Sequence, residues 1–457
     1  MAKYQTPGIY TEEISLLPPE IERGSTTAVF IGYTEKHENE NGENLLNIPT
    51  KINSIQEFES IFGKAQSEEN IEIIDNSIDD NENIFVRFNG NQSLHNLYYS
   101  LVSFFENGGN SCKIVSVGTF QNIGETFSAI ELITGLNSLK GEKSPLLICV
   151  PEDQNLLEED FYLLQKEIFE FCKTVRGFSI VNVPKSTKEN SFNIIENYRE
   201  KTQNLSTTLS FGATFFPNLV TILTYLFRED LVIIKRNEAE FSLSSLKDSD
   251  EVLYQHYLYS LQKFPVILPP TGAVSGAFIR DEIERGIWKA PANIELKNIS
   301  EPEILINNTF QNILTIDPIG GKSVNAIRKF TGKGILIWGS RTLDGNDNEW
   351  RYIPVRRFVS LLEKDIQKAL EIFIFEPNTI TTWTKIKSMI ENHLQKYWRE
   401  GALQGAKPEQ AYFVKCDSNT MNQQDILDGR LIVQIGIAPI RPAEFIILEF
   451  KQKMLTN

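Results

Sequence analysis

The residues best suited to chemistry in this chain are Gly320-Gly321-Lys322-Ser323, the four histidines, the four cysteines and an acidic stretch around Asp80. The first group ends like a phosphate-binding loop, in which backbone N–H groups cradle an anion while a lysine neutralises it and a hydroxyl holds magnesium. The full pattern needs a glycine where Ile316 stands, and Asp317-Pro318 marks a turn, so a turn is expected there and not a nucleotide site. His37, His95, His256 and His393 never pair at i,i+3 or i,i+4, and surface or boundary positions are expected for them. Cys112, Cys149, Cys172 and Cys416 form no Cys-x-x-Cys pair, and their apolar surroundings suit reduced, structural thiols. The acidic stretch lacks the glycine and spacing of a calcium loop, and no Gly-x-Ser-x-Gly elbow supports a hydrolase. Trp288, beside Gly286 and Pro291, is expected to fill a hole between elements. No catalytic residue, cofactor or metal ligand is expected, and the chain reads as a non-enzyme.

Composition narrows the classes further. A chain of 457 residues can bury two or three cores, and 41% hydrophobic with 23% charged residues is ordinary for a soluble globular protein. The formal charge of -15 opposes a nucleic-acid-coating role, which needs clustered positive charge. No run of eighteen apolar residues suggests a membrane span, and Met-Ala-Lys-Tyr-Gln-Thr-Pro carries no apolar signal core. Synthesis and folding in the cytoplasm are therefore expected.

The elements that must position any site follow from periodicity. Strands are expected at Thr26 to Tyr33, Cys112 to Val117, Pro145 to Val150 and Phe178 to Val183, alternating with helices at Ser93 to Asn107 and Glu158 to Val175. That alternation implies βαβ units and a parallel sheet covered by helices. Ser54 and Glu57 form a possible capping box for a helix ending near Phe62. Glu35 to Asn47 and Gln66 to Asn91 are rich in Asn, Glu and Asp and are expected to be loops or surface insertions. In the final third, one helix runs from Phe358, and a second is capped by Asn378 and ends at Gly401; strands at Ala411 to Cys416, Gly429 to Ile437 and Glu444 to Phe450 complete an α+β unit. The fold class is α/β and α+β: mixed sheets flanked by helices, with extended N- and C-terminal strand arms.

The two arms have a common character. Gly8-Ile9-Tyr10-Thr11 is β-prone, and a linker with Pro18-Pro19 and no helical period separates it from the first core strand. Leu431, Val433, Ile435 and Ile437 alternate along one strand. Pro439 and Pro442 leave Ala438 to Ala443 extended and unpaired, so the last strand can fold back or cross to another molecule. A strand this far from its core is not stable alone.

Several segments in order resemble the sheath proteins of contractile phage tails and phage-tail-like injection systems. They are Thr6-Pro7-Gly8-Ile9-Tyr10, Ala28-Val29-Phe30-Ile31-Gly32, Pro269-Pro270-Thr271-Gly272, Arg285 to Asn293, Trp338-Gly339-Ser340-Arg341-Thr342, Phe375-Glu376-Pro377-Asn378 and Ile437 to Phe445. The resemblance implies a subunit that stacks as six-fold rings around an inner tube and contracts on energy stored in the extended assembly. It also implies that Ile9 and Tyr10, and Phe445, Ile446, Ile447, Leu448 and Phe450, are donated strands, received at Leu431, Val433, Ile435 and Ile437. Lys385, Lys387 and Lys396 are candidates to face the tube. Implied partners are further copies, the inner tube, baseplate and tail-terminator proteins and sheath paralogues, with no nucleic acid and no membrane span. The implied setting is cytoplasmic assembly, then a phage tail or a tail-like particle that can be released outside the cell. A non-contractile tail shell or terminator protein sharing the C-terminal domain is the alternative. The expected organisation is an arm and linker at 1–25, an α/β outer region at 26–205, a sheath core region at 206–355, a C-terminal α+β domain at 356–443 and a strand arm at 444–457.

Overall fold

The computed structural model describes residues 20–39, 41–77, 83–205, 208–237 and 239–444. Within them the chain forms two compact units, one of residues 24–364 with 441–444, the other of residues 20–23 with 365–440. Ile9, Tyr10 and the strand expected from Phe445 to Phe450 lie outside the described residues.

The larger unit is built on six parallel strands: β1 (Thr27–Thr34), β2 (Cys112–Thr119), β3 (Leu146–Cys149), β4 (Phe178–Asn182), β5 (Gly212–Phe216) and β6 (Asn325–Phe330). Their order is β2-β1-β3-β4-β5-β6, so the first five follow the doubly wound 2-1-3-4-5 pattern. Antiparallel Gly334–Trp338 and Ile294–Glu295 extend one edge and Thr50–Ile52 the other. The expected parallel sheet is present, and it joins strands from 26–205 with strands from 206–355.

Period-two alternation sends Val29 and Ile31 of β1 into the core on one face and Ala28 and Phe30 into the core on the other. The first face is covered by α2 (Glu158–Val175), and the second by α1 (Leu97–Glu106) and α3 (Thr271–Arg285). Sequence periodicity misses α3, whose Thr-Gly-Ala-Val-Ser-Gly-Ala run reads as a turn after Pro269-Pro270. Those small residues let its backbone touch α1: a Cβ on Gly272 would sit 2.3 Å from the Ser100 carbonyl oxygen, and one on Gly276 equally close to that of Phe104. The first helix turn expected from Ser93 is not helical; α1 starts at Leu97 because Ser93 and His95 are engaged elsewhere.

Gln66 to Asn91 is not a loop. Ile71–Asp75 and Ile84–Phe88 are strands of a four-stranded sheet completed by Ile233–Arg236 and Ala239–Ser242. Helices Leu243–Ser249 and Glu251–Gln262 pack on it through Leu246, Tyr254, Tyr257 and Leu261. Two acidic residues of this stretch are paired: Glu72 is buried between Lys235, at 2.5 Å, and Arg87, at 2.7 Å, and Tyr257 donates to Asp75 at 2.6 Å, while Asp80 lies outside the described residues. Their cations come from strand neighbours, one of them some 160 residues away in sequence, out of reach of local pattern.

The smaller unit holds α5 (Ile380–Arg399), the end of α4 (Ile353–Leu370), and the antiparallel pair β7 (Tyr412–Lys415) and β8 (Gln434–Ile437). α5 buries Trp383, Ile386, Met389, Ile390, Leu394 and Tyr397 at helical spacing, as its sequence predicts. Its cap differs: Thr379 precedes the helix, while Asn378 accepts a hydrogen bond from the Trp383 indole N–H at 2.6 Å. No helix among the described residues is long and apolar enough to cross a membrane.

Two predictions follow from packing and charge. Gly272→Ala forces α1 and α3 apart and should cost about 1–3 kcal/mol in chemical denaturation. Glu68 is buried with only the Ser93 N–H on its carboxylate, and burial pushes it up to about 7. Its folded value exceeds the ordinary one, so the fold binds the proton more tightly, and this group's contribution falls as pH rises from about 4.5 to 7. Glu68→Gln should therefore gain on wild type across that window, by up to roughly 3 kcal/mol at pH 8, in paired denaturation curves.

Candidate functional site

The phosphate-like loop is an anion cradle that carries its own anion. Ile319 and Gly320 N–H groups donate to Asp317 Oδ1 at 3.1 and 3.0 Å, and Lys322 N–H donates to Oδ2 at 3.0 Å. Burial works against the Asp317 charge, yet these N–H groups and nearby Arg199 outweigh it and hold the carboxyl below its usual range. The second place where doubly wound folds bind ligands is the crevice at the carboxyl ends of β1 and β3, where strand order reverses. Glu152, just after β3, makes two contacts there: Oε2 accepts from Tyr33 N–H at 3.1 Å and Oε1 lies 3.3 Å from His95 Nδ1, while a cavity of about 590 Å³ lined by His95, Gln154, Lys185 and Asn218 stays open beside it. His95 Nε2 accepts from Gln121 N–H at 3.0 Å, which leaves the proton on Nδ1 for Glu152.

His95 and His393 are thus buried, contrary to the boundary positions expected for them; Glu152 meets His95, and Asp365 lies 3.7 Å from His393. The four cysteines are free and buried, with burial pushing the Cys149 thiol up to about 12. Trp288 packs over Gly286 and against Phe358, as a hole-filling residue does. No cluster of metal-ligating side chains occurs among the described residues.

What the structure does build is a pair of roots for the two chain ends. At the N-terminal end, Ile21 is buried, Glu20 pairs with Lys396, and Glu22 lies 3.3 Å from Lys368. Arg23 stacks 4.4 Å over the Tyr397 ring and grips Glu400 through two bonds of 2.8 Å. These four residues, within the expected arm and linker at 1–25, are held by residues of α4, α5 and the turn that follows α5. At the C-terminal end, Glu444 accepts from Arg341 Nε at 2.9 Å and Nη2 at 2.5 Å, and from the Tyr352 hydroxyl at 3.2 Å. Arg341 is buried, and Asn325 fixes its backbone. Sequence reasoning missed both clamps, because each joins charges hundreds of positions apart or, for Arg341 and Glu444, about one hundred.

The stretch from Ala438 is paired, which corrects the unpaired link expected there. Ala438 N–H donates to Ala411 O at 2.8 Å, its carbonyl accepts from Gln404 N–H at 2.7 Å, and Ile440 N–H donates to Ala402 O at 3.1 Å. Pro439 lacks a donor, but its neighbours supply these bonds. Ile435 and Ile437 lie in β8 opposite Val414 and Tyr412. Leu431 and Val433 precede the strand and pack on Trp383, Cys416 and Met421. Lys385 is exposed, Lys387 lies 3.9 Å from Glu391 on the same helix, and Lys396 is engaged by Glu20.

Residues 345–453 match the phage tail sheath C-terminal domain family. A chain of the anti-feeding prophage baseplate is 26% identical and superposes with a TM-score of 0.65 over 99% of this chain and 100% of its own. The chain is thus similar to tail sheath proteins in its C-terminal region and to chains of contractile injection systems over nearly its whole length. The PVC sheath complex of an extracellular contractile injection system, in its contracted state, shares the fold at a TM-score of 0.66, 24% identity and 99% coverage of both chains. The tail sheath protein of Vibrio phage KVP40 is 25% identical over 187 residues, 40% of this chain; the match spans 26% of that longer protein. Glu444 lies within the matched C-terminal region and Arg341 just before it.

Truncating Glu444 to alanine leaves Arg341 buried without its carboxylate. Because Glu444 keeps some contact with water, the expected loss is about 2–4 kcal/mol in urea denaturation, below the upper range for a fully buried pair.

Proposed function

We propose that this chain is the sheath subunit of a contractile injection particle. Subunits stack as six-fold rings around an inner tube and contract to drive that tube through a target envelope. The likeness to the anti-feeding prophage baseplate chain, over nearly the whole of both chains at 26% identity, carries this reading. Strand addition links the rings: Ile9 and Tyr10, and Phe445, Ile446, Ile447, Leu448 and Phe450, pair with a neighbour's β7–β8 ribbon near Ile435 and Ile437, with Leu431 and Val433 bracing it from the core side. A two-stranded ribbon has unpaired N–H and C=O groups along its edges, and each added bond contributes about 0.5–1.5 kcal/mol.

Contraction uses no nucleotide, because a metastable extended lattice releases free energy as more surface is buried, summed over many subunits. Asp317, which occupies the anion cradle of its own loop, supports a non-enzymatic role. Lys385 and Lys387 are the better candidates to meet tube carboxylates, since Lys396 serves Glu20. The remaining partners are baseplate, terminator and paralogous sheath proteins; assembly is cytoplasmic, followed by incorporation in a tail or a released particle.

Negative-stain electron microscopy of the purified chain at high concentration, beside versions lacking residues 1–19 or 445–457, tests this. Hollow tubes from the intact chain and their loss in both truncations are expected. Tubes that survive both truncations would overturn the strand links, and monomers throughout would overturn the sheath reading.

A further inference from the structure

The loop between α4 and α5 presents an apolar knob that the isolated chain leaves in water. Phe375 is 102% exposed relative to its reference state, and Ile372, Ile374 and Ile380 beside it are 60%, 62% and 72% exposed. Phe375 also has a φ of +71°, a left-handed conformation that a residue with a Cβ adopts at a cost. The turn is not loose. Glu376 N–H donates to Phe373 O, Thr382 Oγ1 donates to Pro377 O at 2.7 Å, and Asn378 is held between the Trp383 indole and Arg430 O. A strained, fully solvated aromatic fixed by its surroundings is pre-organised for a contact made elsewhere.

The larger unit carries a hole that suits it. A cavity of about 380 Å³ has an apolar part, Trp338, Ile316 and Ala292, and a polar part that includes Gln311, Arg341 and Glu444. Trp338 and Ile316 are themselves exposed there, and the volume is ample for one aromatic side chain. Charge agrees as well. Glu376, next to the knob, meets no cation among the described residues. Arg328, beside the cavity through Gln311 at 3.5 Å, meets no carboxylate among them, and its Nε is buried without a partner.

We propose that Phe375 of one copy inserts into the Trp338–Ile316 cavity of another, with Glu376 pairing to that copy's Arg328. Knob and hole are patches built from different residues, so the contact is heterologous and propagates into a ring or an open helix and does not close as a two-fold dimer. This rests on the sheath reading and names a contact within it that is separate from strand exchange.

The test uses the full chain, with sedimentation velocity and electron microscopy. Phe375→Ala should raise the concentration needed for assembly by at least about tenfold, as loss of one buried aromatic anchor does. Its melting temperature should stay level or rise, because the strained side chain supports nothing in the monomer. Glu376→Arg and Arg328→Glu should each weaken assembly, and the double reversal should recover most of it. Mixing Phe375→Ala, whose hole is intact, with Ala292→Trp, whose knob is intact and hole filled, should give one-to-one heterodimers although neither assembles alone. Assembly of Phe375→Ala at the wild-type concentration, a double reversal no better than the singles, or no heterodimer in the mixture would overturn the proposal. Absence of tubes from wild type with heterodimers still formed would count against the sheath reading alone.

Discussion

A parallel sheet has to be buried on both faces, and most of the larger unit answers to that requirement. β1 hides nearly every side chain, so helices must arrive on each side, and they come from segments as distant as residues 97 and 271. The close approach of α3 to α1 is possible only because Gly272 and Gly276 put nothing between two backbones. The same topology opens a crevice where strand order reverses, and there the buried carboxylate of Glu152 holds the Tyr33 N–H and meets His95.

The parallel core was legible because its signals are local. Apolar runs at β1 to β4, the helical stripe of α2 and the Trp383 to Tyr397 face of α5 each declare themselves within a dozen or so residues. What could not be read depends on remote partners. Ile71–Asp75 looks like a polar loop until Lys235 and Tyr257 supply its counter-groups. The small-residue helix α3 has too weak a polarity contrast to show a stripe, and Asn378 looks like a cap until the Trp383 indole claims it.

The candidate site was legible in outline only. Period two marks Ile435 and Ile437 as strand residues, and the structure pairs them with β7; Leu431 and Val433 keep the alternation but are drawn into packing around Trp383. The charges that root the chain ends carry no such signature. Arg23 combines a bidentate carboxylate with an aromatic face, a use of the planar guanidinium that lysine cannot reproduce. Arg341 does the same work in a drier setting, where its pairing with Glu444 is less screened by salt.

Asp317 seated in its own backbone cradle has a further consequence. A loop that waits for phosphate has two shapes, and the solution decides between them. Here the counter-ion is covalently part of the chain, present at an effective concentration that dilution cannot change. The turn from Asp317 to Ser323 thus carries its own anion whatever the ionic composition around it.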